Sequence, residues 1–248
     1  MSELLEICRE GHILHLALNR PEKRNALNMA LCQDLAAAFA EAADDPSVRV
    51  ILLKGNGKSF CAGMDLGEIL EVRENVVDRV HEELFTAGWR LNKPVVCAVH
   101  GAALGGGLGL AANCHIVVAA EDATLGLTEI RLGLWPLVIF RAMAAAVGER
   151  WATEMALTGR TFDAREAYRL GLAQYVVPAA ELAQRSQDLA AALAESSHTA
   201  IGAGLEYVRE AHGKGLKEAG EIAHWVRQQL FASEDFKAGV RAFREKCR

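Results

Sequence analysis

The chain has 248 residues, of which 51% are hydrophobic, enough apolar side chain for a sizeable core and too much for a disordered segment. Its formal charge is −5, with 27 Lys and Arg against 32 Asp and Glu, so it lacks the basic excess that a phosphate backbone demands and nucleic acid is not an expected partner. No apolar run is long enough to cross a bilayer, and Met1 to Asn19 shows no basic region followed by an apolar signal core, so no membrane partner and a cytoplasmic location are expected.

Leu4 to Leu18 reads as a β-hairpin, two short runs around Glu10-Gly11 with alternation from His12 to Leu18. Asn28 to Ala43 is rich in Ala and Leu at helical spacing and is stopped by Asp44-Asp45-Pro46. Val48 to Leu53, Val95 to Val99 and Ile116 to Ala119 are near-continuous apolar, β-branched runs, the pattern of strands covered on both faces, with helical sequence between them. A helical pattern also runs from Gly67 to Arg73. After Pro136 helices dominate, through Val147, then Trp151 to Leu157 and Ala164 to Leu170, before a last strand at Gln174 to Val177. Glu181 to Ala194, Ala200 to His212, Leu216 to Ala232 and Phe236 to Lys246 complete the chain as helices. The expected organisation is an α/β core over 1–194 and a helical region over 195–248, with no internal repeat.

The six cysteines, Cys8, Cys32, Cys61, Cys97, Cys114 and Cys247, form no Cys-x-x-Cys pair and have no His at zinc-ligand spacing. They read as reduced, mostly buried thiols, and no metal is inferred.

Two stretches have the composition of strand-to-helix turns that expose backbone. Gly101-Ala102-Ala103-Leu104-Gly105-Gly106-Gly107-Leu108-Gly109 follows the run Val95 to Val99 and leads into an apolar helical segment. Successive glycines let a ligand approach the unpaired N–H groups of a helix start, where an anion or developing oxyanion is favoured. The register does not match Gly-x-Gly-x-x-Gly, and Gly57-Lys58-Ser59 fails as a phosphate loop because Leu52 stands where the first glycine is required. Tight helix-to-strand packing alone also accounts for a glycine cluster. The second turn, Asn56 to Leu66, follows the run Val48 to Leu53, and the two together can aim two N–H groups at one carbonyl oxygen. Glu129 sits in the apolar stretch Leu125 to Leu134, where desolvation would raise a carboxylate pKa toward neutrality, although spacing alone favours an ion pair with Arg131 or another cation.

At these residues the chain resembles the crotonase family, the enoyl-CoA hydratase/isomerase superfamily. The similarity runs through Leu18 to Leu27, Ser59 to Leu66, Ala98 to Gly107, Glu129 to Leu134, Leu157 to Arg160 and Ala167 to Leu172. The resemblance implies a ClpP-like spiral of ββα turns with C-terminal helices that assemble trimers or hexamers. It implies that the backbone N–H groups of Met64 and Gly106 form an oxyanion hole for a thioester carbonyl. Residues around Arg24, Ala26, Ala62, Asp65 and Leu66 would hold the nucleotide of coenzyme A, with Phe243 and Lys246 reaching it from an adjoining subunit. Coenzyme A would be part of the substrate, with no separate cofactor. Hydratases of the family usually carry two catalytic glutamates, and here only the second is present, as Glu129, with Gly109 at the first position. Leu134-Trp135-Pro136-Leu137-Val138-Ile139-Phe140 is bulky where many relatives have glycines, which should place Trp135 and its neighbours at the acyl end of the pocket. The combination resembles bacterial hydratases of branched enoyl-CoA such as methylglutaconyl-CoA. Hydration of a 2-enoyl-CoA is therefore ranked first, isomerisation of a 3-enoyl-CoA second, and hydrolase or decarboxylase activity or non-catalytic acyl-CoA binding after them.

Overall fold

The computed structural model describes residues 3–69 and 74–246. The expected hairpin forms from β1 (Leu5–Glu10) and β2 (Ile13–Leu18), paired antiparallel about Gly11. Helix α1 (Met29–Asp44) starts one residue after Asn28, whose side chain caps it by accepting from Leu31 N–H, and it buries Leu31, Cys32, Leu35, Ala38, Phe39 and Ala42 along one stripe.

After β3 (Val50–Gly55), a long turn leads to the one-turn α2 (Leu66–Ile69) and to α3 (Glu74–Arg90). Most of the helical pattern expected from Gly67 to Arg73 therefore lies outside the described residues. The next units repeat one scheme. A strand in a large sheet is followed by a short strand in a small sheet and then by a helix: β4 (Val95–Val99), β5 (Ala102–Leu104) and α4 (Gly106–Ala112), then β6 (Ile116–Ala120), β7 (Thr124–Gly126) and α5 (Leu137–Val147). Helix α6 (Glu149–Thr158), β8 (Thr161–Asp163), α7 (Ala164–Arg169) and β9 (Tyr175–Val177) follow. The large sheet has the order β1-β2-β3-β4-β6-β9 and is parallel beyond the hairpin, while β5, β7 and β8 form the small sheet. The corner between β4 and β5 is Gly101, at φ +54°, and a β-carbon there would lie 2.1 Å from Lys58 O.

The central strands are apolar throughout because both faces are covered. Ile51, Leu53, Val95, Cys97, Val99, Val117 and Ala119 join α1 in the main core. The alternate residues Val50, Leu52, Val96, Ala98, Val118 and Ala120 pack against Leu182, Ala190 and Ala194 of α8 (Leu182–Ala194). The chain ends in α9 (His198–Ala211), α10 (Leu216–Ala232) and α11 (Glu234–Lys246). These last helices leave an apolar cleft of about 770 Å³ among Tyr207, Val226, Phe231, Phe236 and Phe243. Leu216 is 95% exposed and Phe243 70%. No helix among the described residues is long and apolar enough to cross a membrane.

Candidate active site

The two strand-to-helix turns meet backbone to backbone. Cys61 bridges Ala103 in parallel fashion, with Cys61 N–H donating to Ala102 O at 2.9 Å and Leu104 N–H to Cys61 O at 3.0 Å. A β-carbon on Gly107 would lie 2.2 Å from Cys61 O, so only glycine permits this approach. One on Gly63 would lie 2.8 Å from Leu104 O and 3.6 Å from Gly106 N, and one on Gly106 would lie 3.9 Å from Met64 N. The turns thus carry the Met64 and Gly106 amides side by side.

Both amides are available. Leu27 forms a parallel bridge to Met64, with Leu27 N–H donating to Gly63 O at 2.7 Å and Asp65 N–H to Leu27 O at 2.9 Å. This pairing fixes the residues on either side and leaves the Met64 N–H without an acceptor among the described residues. Gly106 is the first residue of α4, where a helix offers its own N–H no carbonyl.

Glu129 opens a short 3-10 turn, Glu129–Leu132, just after β7. Its carboxylate lies at the start of α4, where a β-carbon on Gly105 would sit 3.1 Å from Oε1. Its Oε2 is buried and has no hydrogen-bond partner among the described residues, and burial pushes the carboxyl pKa above its ordinary value, a backbone hydrogen bond working the other way. The ion pair with Arg131 that spacing favours does not form. The helical turn carries Arg131 away to an exposed position, and its side chain packs beside Gly159 instead. A desolvated carboxylate, two free amides and the positive end of a helix in one place can polarise a carbonyl and move protons next to it.

The neighbouring loop is built on polar residues that sequence reasoning passed over. Asn25 is 0% exposed, and with Arg24 it takes a left-handed backbone, at φ +55° and +52°. Its Oδ1 accepts from Arg20 N–H at 2.8 Å, and its Nδ2 donates to Asn56 O at 2.9 Å and Ser59 O at 2.8 Å. The Arg20 guanidinium donates to Ala26 O and pairs with Asp65 at 3.0 Å. Burial works to raise the Asp65 pKa, but the Arg20 hydrogen bond, the Gly67 N–H and the charges of Arg20 and Lys23 hold it below the ordinary value. The motif Arg20 to Leu27 carried this information only as a pattern.

Arg24, Ala26, Ala62 and Asp65 lie on these adjoined loops and Leu66 opens α2 directly after them, with Arg24 and Leu66 exposed and Ala62 N–H donating to Arg24 O at 3.0 Å. Gly109 lies on the buried side of α4, one turn past Gly105, and a β-carbon on it would sit 2.3 Å from Cγ2 of Ile139. Trp135 is half-buried, with its ring 6.0 Å from that of Phe140. Phe243 stands apart from these residues, in the cleft of the last helices, and the Lys246 side chain lies outside the described residues.

The family model described as enoyl-CoA hydratase/isomerase matches residues 9–248. The chain belongs to the enoyl-CoA hydratase/isomerase family. Among its relatives is the 2,3-dehydroadipyl-CoA hydratase of Escherichia coli, 35% identical over 248 residues that cover 99% of this chain and 97% of the relative. The mevalonyl-coenzyme A hydratase of Aspergillus fumigatus is 35% identical over 95% of this chain and 89% of its own. The enoyl-CoA hydratase of Mycobacterium smegmatis superposes with a TM-score of 0.94 at 31% identity, covering 99% of this chain and 97% of that one. The crotonase fold and an enzyme of the hydratase/isomerase family are thereby established for this chain, and an acyl-CoA substrate is consistent with both.

Proposed function

We propose that this enzyme adds water to a 2-enoyl-CoA thioester, with the Met64 and Gly106 N–H groups as oxyanion hole and Glu129 as the acid/base. The observation that carries this reading is the buried, unpartnered Oε2 of Glu129 beside the free amides at the start of α4. The Glu129 carboxylate takes a proton from water as the water oxygen bonds to C3. The C2–C3 π electrons shift toward the thioester, and the two N–H groups hold the resulting enolate oxygen. Glu129 then returns the proton to C2, giving the 3-hydroxyacyl thioester with every atom of one water accounted for. Each N–H donor in such a hole is worth about 3–4 kcal/mol.

The loops carrying Arg24, Ala26, Ala62, Asp65 and Leu66 are the proposed seat of the coenzyme A nucleotide, no other cofactor being required. Because the Asp65 carboxylate is already engaged by Arg20 and Gly67, its contribution there is to loop shape. The exposed apolar surface of α9 to α11 supports a division into a core over 1–194 and an assembly region over 195–248. In a trimer or hexamer, Phe243 and Lys246 would meet the coenzyme A of an adjoining subunit, in the cytoplasm.

One observation favours a second reading. With Ile139 filling the space beside Gly109, no second carboxylate stands there, and a single Glu129 suffices to carry a proton between two carbons of a 3-enoyl-CoA. Incubation with crotonyl-CoA, 3-methylglutaconyl-CoA and a 3-enoyl-CoA, followed by ultraviolet absorbance and product mass, separates the two. A gain of one water in mass is the expected result. Isomerised product of unchanged mass, with no hydration, overturns hydration in favour of the second reading.

A further inference from the structure

The acyl chain must leave the oxyanion hole past Glu129, since C2 and C3 have to lie within reach of that carboxylate. The geometry along α4 shows what it meets next. Gly105 abuts the Glu129 carboxylate, and Gly109 follows one turn later, its N–H donating to Gly105 O at 3.0 Å. Residues four apart share a face of a helix. At Gly109 that face is filled by Ile139, 4% exposed, so close that a β-carbon on Gly109 would lie 2.3 Å from its Cγ2 and 2.8 Å from its Cβ. At Gly106, about 100° round the helix from Gly105, a β-carbon would meet Cζ of Phe85, 5% exposed, at 3.1 Å and Cδ1 of Leu27 at 3.2 Å.

Open space adjoins Phe85 and the residue next to Ile139. A cleft of about 740 Å³ is bordered by Phe85 itself, by Ala111 and Ala112 at the far end of α4, by Val138 next to Ile139, and by Trp89 and Ala142. Its lining pairs these apolar residues with polar ones farther along, among them Asn113, Arg141 and Glu149.

We propose that Phe85 and Ile139 form the end wall of the acyl site, restricting the enzyme to short acyl-CoA thioesters and partitioning the reaction centre from this cleft. The inference rests on the acyl-CoA reading above and deepens it by naming the substrate class. Gly109 and Ile139 are a matched pair in this wall: the missing side chain on α4 is what lets the isoleucine reach the helix. Removing either wall residue opens a path along α4 into the cleft, and a longer chain gains a place to lie.

The test compares wild type with Ile139→Ala, Phe85→Ala and Ile139→Val. Two ratios are read: kcat/KM for four-carbon against ten-carbon trans-2-enoyl-CoA, and Kd for butyryl-CoA against decanoyl-CoA by calorimetry. Wild type is expected to favour the four-carbon member in both, and Ile139→Ala to shift the ratios toward ten carbons by on the order of tenfold or more. Equal handling of both lengths by wild type overturns the proposal, as does a folded Ile139→Ala or Phe85→Ala pair with unshifted ratios. If the alanine variants do not fold, wild type and Ile139→Val carry the test, the valine shifting the ratio in the same direction by less. Absence of turnover would count against hydration alone, because the Kd ratio for the saturated thioesters reads the wall independently.

Discussion

The Glu129 carboxylate rests against the backbone of Gly105, so that a β-carbon on that glycine would lie 3.1 Å from Oε1. The contact places the proposed acid/base at the same helix start that carries the Gly106 amide. Glu129→Gln preserves the shape and removes the proposed proton transfer. Turnover is expected to fall by about 10²- to 10⁴-fold with acyl-CoA affinity retained, measured by steady-state kinetics and by calorimetry with a saturated thioester.

The same substitution should stabilise the fold. Burial raises the Glu129 pKa in the folded state, so the folded chain holds that proton more tightly than the unfolded chain does. The associated stability is fully present below the unfolded pKa and is lost as pH rises through the folded one. At neutral pH Glu129→Gln is expected to raise Tm, with the difference from wild type shrinking as the pH is lowered toward the unfolded value. Scanning calorimetry across that window checks it.

In the proposed mechanism Glu129 is the general base, and its raised pKa sets the pH–rate profile. A general base must be ionised, so the acid limb of kcat/KM should fall above the unperturbed glutamate value of about 4.3. Asp65, with its pKa held down by Arg20 and Gly67, stays ionised throughout that limb and does not contribute to it. A profile measured with crotonyl-CoA, repeated in a Lys23→Ala variant, should show the same limb in both.

Asn25→Ala strips partners from Arg20 N–H and from the carbonyls of Asn56 and Ser59 in one step. It also leaves a residue less tolerant of φ +55°. Unfolding in denaturant should show a loss of about 2–4 kcal/mol, and kcat/KM should fall as well because this loop holds the turn that carries Met64.

Gly109→Ala forces a β-carbon into Ile139 and should cost about 1–3 kcal/mol by overpacking. Ile139→Ala should cost about 2–5 kcal/mol by leaving a cavity. The double variant should cost less than their sum by about 1–3 kcal/mol, the two residues sharing one volume. Denaturation midpoints of the four proteins close the cycle.

The long strands were legible in the sequence for a physical reason. Val95–Val99 and Ile116–Ala120 are buried on both faces, so they appear as unbroken apolar runs. Strands β5, β7 and β8 have three residues each, too short for any alternation, and β5 lies inside the glycine cluster, where composition points to a turn. Helix α4 begins at Gly106, inside the glycine cluster and ahead of the apolar segment that follows it, because tertiary packing holds glycines in a helix that propensity disfavours. The site motifs were legible as a resemblance, with Met64, Gly106 and Glu129 placed together by the fold. The roles of Asn25 and Arg20 were not, because a buried polar residue inside a loop has no periodicity to betray it. Nor does spacing reveal that the Glu129–Leu132 turn sends Arg131 outward and leaves the carboxylate alone.

The bridge between Leu27 and Met64 gives the site a built-in gauge for hydrogen exchange. The amides of Leu27 and Asp65 are tied across it, while the Met64 amide has no acceptor among the described residues. In deuterated solvent the first two should retain their protons and the third should lose its proton early. A bound thioester carbonyl would slow that third amide toward its neighbours, so occupancy of the proposed oxyanion hole becomes readable from one backbone signal, with two adjacent signals as internal standards.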